Sequence, residues 1–283
     1  MPLILEGRSP AARITEDAAR LVAAVTQRLG RAPALAAVAV DDGRPETLYF
    51  DVKQRAFEAA GAVFRPVVLP AGTDTRALSS AVRELNEDDT VDGIYVQYPL
   101  PEVIDAQMAY DEIDLLKDVD GASSLQSPEQ PEYFPATAEA VIQLLAFHDV
   151  DVADSSVCIV RGDPLFAASL ATLFREAGAR PDIAALDDAD AVSAQLATAD
   201  IIVVATGIVH GVNAARFRDG AVVVDVGYYH GGGRGDIAAT PSDIERMAAY
   251  APPRGAIGPL TVALLIGHTA GAARRTLDRQ AAH

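Results

Sequence analysis

The chain has 283 residues, half of them hydrophobic, with ordinary glycine and proline content, which suits one large or two ordinary domains and excludes a disordered polymer. A formal net charge of −17 argues against nucleic acid or an anionic membrane as the main partner, because both are polyanions. One cysteine, Cys158, excludes an intramolecular disulfide or a multi-cysteine metal site; with no signal-peptide pattern at the start and no apolar run of bilayer length, a soluble cytoplasmic protein is expected.

Ser9-Pro10 reads as an N-cap followed by proline at the first helical position, and predicts a helix that ends near Gly30. Ala34 to Val40 is an unbroken apolar run closed by Asp41-Asp42-Gly43, the pattern of a strand buried on both faces. A helix is predicted from about residue 48 to Gly61, placing Tyr49 and Lys53, four apart, on one face. Strands at 63–69 and 91–96 then alternate with helices at 75–85 and 104–116. Such alternation predicts an α/β fold whose parallel sheet is covered on both sides.

Residues 121–135, rich in Ser, Gln, Glu and Pro and without periodicity, mark a domain junction. Beyond it come a helix at 136–147, a strand at 156–161, a helix at 164–177, a strand at 181–186, a helix at 189–198, and strands at 201–205 and 221–226. The small residues Thr206-Gly207 and Gly227 at strand ends make this half similar to a dinucleotide-binding domain. Gly231-Gly232-Gly233 reads as a flexible turn, and a long helix begins at Pro259. Cys158 sits in the apolar run Val157–Val160, so a buried structural thiol is expected rather than a nucleophile.

Only two lysines, Lys53 and Lys117, stand against 21 arginines. A lysine in such a chain points to work that a guanidinium cannot do, since a desolvated amine can lose its proton near neutral pH. Lys53 is therefore the first candidate catalytic residue. Asp118 and Asp120 have no third or fourth oxygen ligand at workable spacing, and no metal site is expected.

Five segments carry a family resemblance: Tyr49-x-x-x-Lys53, the run from Asp92 through Gln97 to Pro101, Lys117-Asp118-Val119-Asp120-Gly121, Asp225-Val226-Gly227, and Gly258-Pro259-Leu260-Thr261-Val262-Ala263. In this order, over nearly the whole chain, they resemble the bifunctional methylenetetrahydrofolate dehydrogenase/methenyltetrahydrofolate cyclohydrolase family. The resemblance implies a two-domain α/β protein with an N-terminal folate-site domain (1–135), to which a C-terminal helix (259–283) returns. It further implies a Rossmann-like domain (136–258), a tetrahydrofolate substrate between the domains, and a homodimer. Lys53 then takes the place of the catalytic amine of the cyclohydrolase step and Gln97 that of its hydrogen-bond partner. Asp120 matches the carboxylate that receives the pterin N–H groups. Tyr49 matches a ring, beside the amine, that stacks on the aminobenzoate, and Gly258, Pro259 and Thr261 match residues that shape the pocket. Arg161, Gly162, Asp163, Asp187, Thr206 and Gly207 fall at cofactor-binding positions.

The departures lie on the cofactor side. The family's phosphate turn reads Gly-x-Ser-x-x-Val-Gly-x-Pro; here Arg161, Asp163, Ala167 and Ser169 replace its first Gly, Ser, second Gly and Pro. A carboxylate at Asp163 opposes a pyrophosphate, and Arg161 offsets this only in part. After the next strand, Asp187, Asp188 and Asp190 oppose a 2′-phosphate, whereas one carboxylate there suits the ribose hydroxyls of NAD. An acidic helix N-terminus is an equal reading of those residues. NAD is expected over NADP, with loss of dinucleotide binding as the alternative. Ala136 and Ala138, and Arg254 and Ala256, also replace family residues near the folate pocket. The expected reactions are oxidation of 5,10-methylenetetrahydrofolate and hydrolysis of the methenyl product to 10-formyltetrahydrofolate. The alternatives are a relative without hydride transfer (a cyclohydrolase alone, or one passing the methylene carbon to a non-folate amine) and a non-catalytic folate-binding subunit. Retention of Lys53, Gln97 and Asp120 argues against the last.

Overall fold

Glu6 starts the first helix. Its carboxylate accepts hydrogen bonds from the backbone N–H groups of Arg8 (2.8 Å) and Ser9 (3.2 Å), so α1 runs Arg8–Leu29 and opens one residue before the Ser9-Pro10 signal. A two-residue strand, β1 (Leu3–Ile4), precedes it. The computed structural model describes residues 1–43, 50–98, 100–127, 129–186, 189–229 and 233–281. They fall into two compact units, one formed by Met1–Ala11 with Thr137–Thr261 and the other by Ala12–Ala136 with Val262–His283.

In the unit built on Ala12–Ala136, the apolar run is β2 (Ala34–Val40), buried at every residue. Helix α2 (Asp51–Ala59) and strand β3 (Val63–Leu69) follow, then α3 (Thr75–Glu87), β4 (Gly93–Val96) and the short α4 (Ala106–Asp111). The three strands form one parallel sheet in the order β3-β2-β4, so the most apolar strand is central. Leu78 and Val82 of α3 pack with Val38, Val40, Ile94 and Val96 beneath it. The helix predicted over 104–116 ends at residue 111. Asn86 holds the chain there, its Oδ1 accepting from Asp114 N–H (3.0 Å) and its Nδ2 donating to Glu112 O (2.7 Å). The described part of the helix predicted from residue 48 begins at Asp51, and Tyr49 lies outside the described residues.

In the other unit, α5 (Ala136–Phe147) leads to β5 (Ser156–Arg161), α6 (Pro164–Glu176), β6 (Arg180–Ala185), α7 (Ala189–Leu196) and β7 (Ile201–Ala205). Next come β8 (Val212–Asn213), β9 (Val222–Asp225), β10 (Ile237–Ala238), α8 (Pro241–Glu245) and β11 (Ala249–Ala251). The last helix, α9 (Ile257–Ala281), contributes residues to both units. Six strands form a parallel sheet in the order β1-β11-β9-β7-β5-β6, and β8 pairs with β10 in a second, two-stranded sheet. β5 continues to β6 on one side while β7 joins it on the other, so strand order reverses at β5; in open α/β sheets that switch point is where ligands bind. Cys158 is buried, and burial pushes its thiol pKa up to about 12. Gly231 and Gly232 of the expected turn lie outside the described residues. Among the described residues no helix is long and apolar enough to cross a membrane.

Candidate active site

Lys53 stands on the third residue of α2, and Gln97 is the first residue after β4. They are 44 residues apart in sequence, yet Lys53 Nζ donates to Gln97 Oε1 at 3.0 Å. The Gln97 amide is fixed from its other side as well, since its Nε2 donates to Tyr98 O at 2.8 Å. Burial lowers the pKa of Lys53, and the charge of Asp120 opposes that shift. The result is a half-buried amine held at a defined point and biased towards the neutral form. Lys117, by contrast, donates to Leu85 O, Asn86 O and Asp88 O (3.1, 2.8 and 2.9 Å) and closes the C-terminal end of α3. Of the two lysines, only one is free of a structural task.

The two aspartates of Lys117-Asp118-Val119-Asp120-Gly121 also divide. Asp118 is buried and accepts from Ala122 N–H (3.1 Å), Ser123 N–H (2.9 Å) and Gln126 Nε2 (2.6 Å), all of them loop groups. Among the described residues, no hydrogen bond reaches the Asp120 carboxylate. Burial, reinforced by the charge of Asp118, raises its pKa to about 7 against the lowering effect of Lys53 and His268. A buried carboxylate that receives no donor from the described residues is an acceptor set for a ligand's N–H groups. Asp118, occupied by its own loop, is unsuited to holding a cation with it. Among the described residues no group of three or more His, Cys, Asp or Glu could hold a metal ion.

Gly258, Pro259 and Thr261 fall in the first turns of α9, within the other unit. Thr261 Oγ1 donates back to Ile257 O (3.2 Å), and a Cβ on Gly258 would meet no atom within 4 Å, so the chain's own packing does not require glycine there.

At the switch point the β5–α6 turn carries Arg161, Gly162 and Asp163. The Asp163 carboxylate caps α6 through Phe166 N–H (2.8 Å), with Pro164 beginning the helix. Gly162 is set by the chain itself: a Cβ there would collide with the backbone oxygen of Thr206. Arg161 brings the turn's one cation, its guanidinium beside Gly162 O (3.4 Å). Ala167 is fully buried in α6, so a methyl is accommodated where the family has its second glycine. Thr206 and Gly207 follow β7, and both of their N–H groups go to the Asp236 carboxylate. Asp187 and Asp188 lie outside the described residues. The turn's position fits a dinucleotide, while its helix N-terminus is already met by a carboxylate. A separate cavity of about 630 Å³, lined by His210, Asp225, Arg234, Thr240 and Tyr250 among others, includes none of the residues singled out in the sequence as binding or catalytic.

Three residues near the sites carry no role that the sequence analysis assigns. Tyr95 hydrogen-bonds to Gln97; its position two residues earlier on β4 was the signal, because alternate strand residues share a face. His268 of α9 influences Asp120 and binds Val119 O through Nδ1 (2.8 Å), a proximity of fold that no spacing encodes. Asp236, buried, ties the Thr206-Gly207 backbone and the Tyr229 hydroxyl (2.8 Å).

Residues 5–120 match the sequence profile of the tetrahydrofolate dehydrogenase/cyclohydrolase catalytic domain, and residues 135–277 that of the family's NAD(P)-binding domain. The chain belongs to the tetrahydrofolate dehydrogenase/cyclohydrolase family. The bifunctional protein FolD of Cellvibrio japonicus (strain Ueda107) is 34% identical over 268 residues, covering 93% of this chain and 95% of that protein. Among solved structures, a bifunctional FolD methylenetetrahydrofolate dehydrogenase/cyclohydrolase from Campylobacter jejuni superimposes with a TM-score of 0.85 at 26% identity, over 98% of this chain and 100% of the other. The Trypanosoma brucei enzyme, solved with NADP and an inhibitor, gives 0.84 at 28%, over 97% and 98%. This family member is thus an enzyme of one-carbon folate metabolism, a methylenetetrahydrofolate dehydrogenase and methenyltetrahydrofolate cyclohydrolase with a two-domain α/β fold and an NAD(P)-binding domain.

Proposed function

We propose that Lys53, Gln97 and Asp120 carry the folate chemistry, with Lys53 as the proton-handling amine of the cyclohydrolase step. The observation that carries this reading is the Lys53–Gln97 hydrogen bond, together with a carboxylate at Asp120 that has no hydrogen-bond donor among the described residues. Asp120 receives the pterin's amino and ring N–H groups and so orients the one-carbon bridge. Lys53, lowered in pKa by burial, accepts a proton from the water that adds to the methenyl carbon. The carbon–N5 bond then breaks as N5 takes up a proton and the added hydroxyl gives one up, leaving the formyl C=O on N10. Gln97 holds the amine on that line, and Tyr49 stacks on the aminobenzoate. Gly258, Pro259 and Thr261 shape the folate pocket. Two assays test the assignment: the rise of reduced nicotinamide absorbance for the first step, and loss of methenyl absorbance above the uncatalysed rate for the second. Hydrolysis unaffected by loss of the Lys53 amine would defeat it.

Asp120 supplies a pH signature. With its pKa raised to about 7, the carboxyl is largely protonated below that pH and must give up a proton to accept N–H donors from the pterin. Folate affinity should therefore fall by about tenfold for each pH unit below 7 and level off above it. Calorimetry at pH 6 in two buffers of different protonation enthalpy should report release of close to one proton on binding. Zero release, or uptake, would remove Asp120 from the pterin site.

The nucleotide we assign is NAD. Arg161, Gly162, Asp163, Asp187, Thr206 and Gly207 form the nucleotide-binding positions. A bound nicotinamide supplies the acceptor for the hydride leaving the methylene carbon. Asp187, Asp188 and Asp190 support NAD over NADP by repelling a 2′-phosphate, while Asp187 suits free ribose hydroxyls. The kcat/KM with NAD should exceed that with NADP by at least about tenfold, roughly 1.4 kcal/mol of discrimination. Equal use of the two nucleotides would overturn the assignment, and activity with neither would favour a cyclohydrolase alone. A homodimer, which the family resemblance implies, is tested by sedimentation equilibrium.

A further inference from the structure

One residue beside the Lys53 amine has no role in the reading above. Tyr95 and Gln97 lie two apart along β4 and its continuation, so both side chains project from the same face of the sheet. The Tyr95 hydroxyl donates to Gln97 Oε1 at 3.1 Å, the same oxygen that Lys53 Nζ reaches at 3.0 Å. The Lys53 ammonium also sits over the Tyr95 ring, 5.0 Å from its centroid. One side chain thus meets the amine twice, directly through its π face and indirectly through the glutamine.

These contacts have separable consequences. With Nε2 engaged by Tyr98 O, a flipped Gln97 amide would set its NH₂ against two donors and its oxygen against a carbonyl. The phenol therefore helps lock the one amide orientation that offers Lys53 an acceptor. It also shares that acceptor, which weakens the bond from the ammonium and favours the neutral amine. The ring face works the other way, since a cation over an aromatic ring is stabilised relative to the neutral form.

We propose that Tyr95 is a positioning residue for the Lys53 amine, its hydroxyl orienting Gln97 and its ring seating the ammonium, so that it sets both where the amine points and how readily it loses a proton. This rests on Lys53 being the proton-handling group.

The surrounding charges are consistent with a donor role. Burial and the negative charge of Asp120 push the Tyr95 phenol well above its ordinary pKa, with Tyr110 of α4 adding to the effect, so the hydroxyl stays protonated throughout the working range. The charge of Asp120, in the loop after α4, acts on Lys53, and Asp118 and His268 act on Asp120. These groups are all left in place by a change at Tyr95.

The test is the kcat–pH profile of the cyclohydrolase at saturating methenyltetrahydrofolate, for the unaltered chain, Tyr95→Phe, Tyr95→Leu and Lys53→Met. Tyr95→Phe keeps the ring and removes the competing donor, so the Lys53-dependent limb should move up by roughly half a pH unit, with kcat reduced and KM nearly unchanged. Tyr95→Leu also removes the π face, so its limb should fall below that of Tyr95→Phe. A packing role alone would lower stability or activity without separating the limbs. Coincident limbs in all three active proteins, with Lys53→Met inactive, overturn the role of Tyr95 and leave that of Lys53 intact. Hydrolysis persisting in Lys53→Met overturns the underlying reading instead.

Discussion

Lys53→Met is expected to lower cyclohydrolase kcat by a factor on the order of 10² to 10⁴, the usual worth of a positioned proton-transfer group, or about 3 to 5 kcal/mol of barrier. Methionine suits the purpose because it is unbranched and of similar reach, so the half-buried site stays filled while the amine goes. Gln97 Oε1 keeps the Tyr95 hydroxyl as a donor, and the amide therefore retains its orientation. Hydride transfer moves no proton at this position, so the dehydrogenase rate should fall by no more than about tenfold, through altered positioning alone. The measurement is the ratio of the two rates, from methenyl disappearance and from reduced nicotinamide. An equal fall in both would make Lys53 a substrate-binding group; no fall in either would end its candidacy.

The ease of reading this chain followed the length of its elements. Ala34–Val40 announced a central strand because a strand covered on both faces must be apolar throughout, and it lies between β3 and β4. β1, β8, β10 and β11 gave no signal, since two or three residues cannot display a period. The overlong expectation for α4 shows a second limit. Apolar spacing persists to residue 116, but the tie from Asn86, on a different element, ends the helix. Lys53 stood out through scarcity of lysine, whereas its partnership with Gln97 came only through family resemblance, as no spacing rule links residues 44 apart. Asp118 and Asp120 are alike in sequence; which one the loop saturates is decided by backbone direction after Lys117, and only the fold shows it. In sequence Asp163 is a repulsive charge at the nucleotide turn, and its task as the cap of α6 is visible only with the helix in place.

Gly121→Ala should produce the largest loss of stability, roughly 3 kcal/mol or more, with a fall in Tm of roughly 6 to 12 °C. Two costs combine. Gly121 has φ +64°, in the left-handed region that strains any residue with a Cβ. A Cβ there would also lie 2.5 Å from Tyr133 O and 2.7 Å from both Phe134 C and Pro135 N, all backbone atoms with no rotamer to yield. That segment cannot easily withdraw. Gln126 Oε1 accepts from Glu132 N–H (2.9 Å), Tyr133 OH donates to His268 O (3.0 Å), and the Tyr133 ring stacks on His268 (4.7 Å) and carries the Arg275 guanidinium 4.2 Å from its centroid. Asp120 precedes the glycine, and its carbonyl accepts from Ala136 N–H (3.3 Å), so any relief must displace the proposed pterin carboxylate. Folate binding should therefore fall together with Tm. Gly258→Ala is the contrast, because a Cβ there meets nothing within 4 Å and the residue is helical; its Tm should not drop, even if folate binding weakens. Thermal melts of the two variants side by side decide the matter. Should Gly121→Ala melt within about 2 °C of the unaltered protein, the Tyr133–Pro135 backbone yields and the close approach does not fix Asp120.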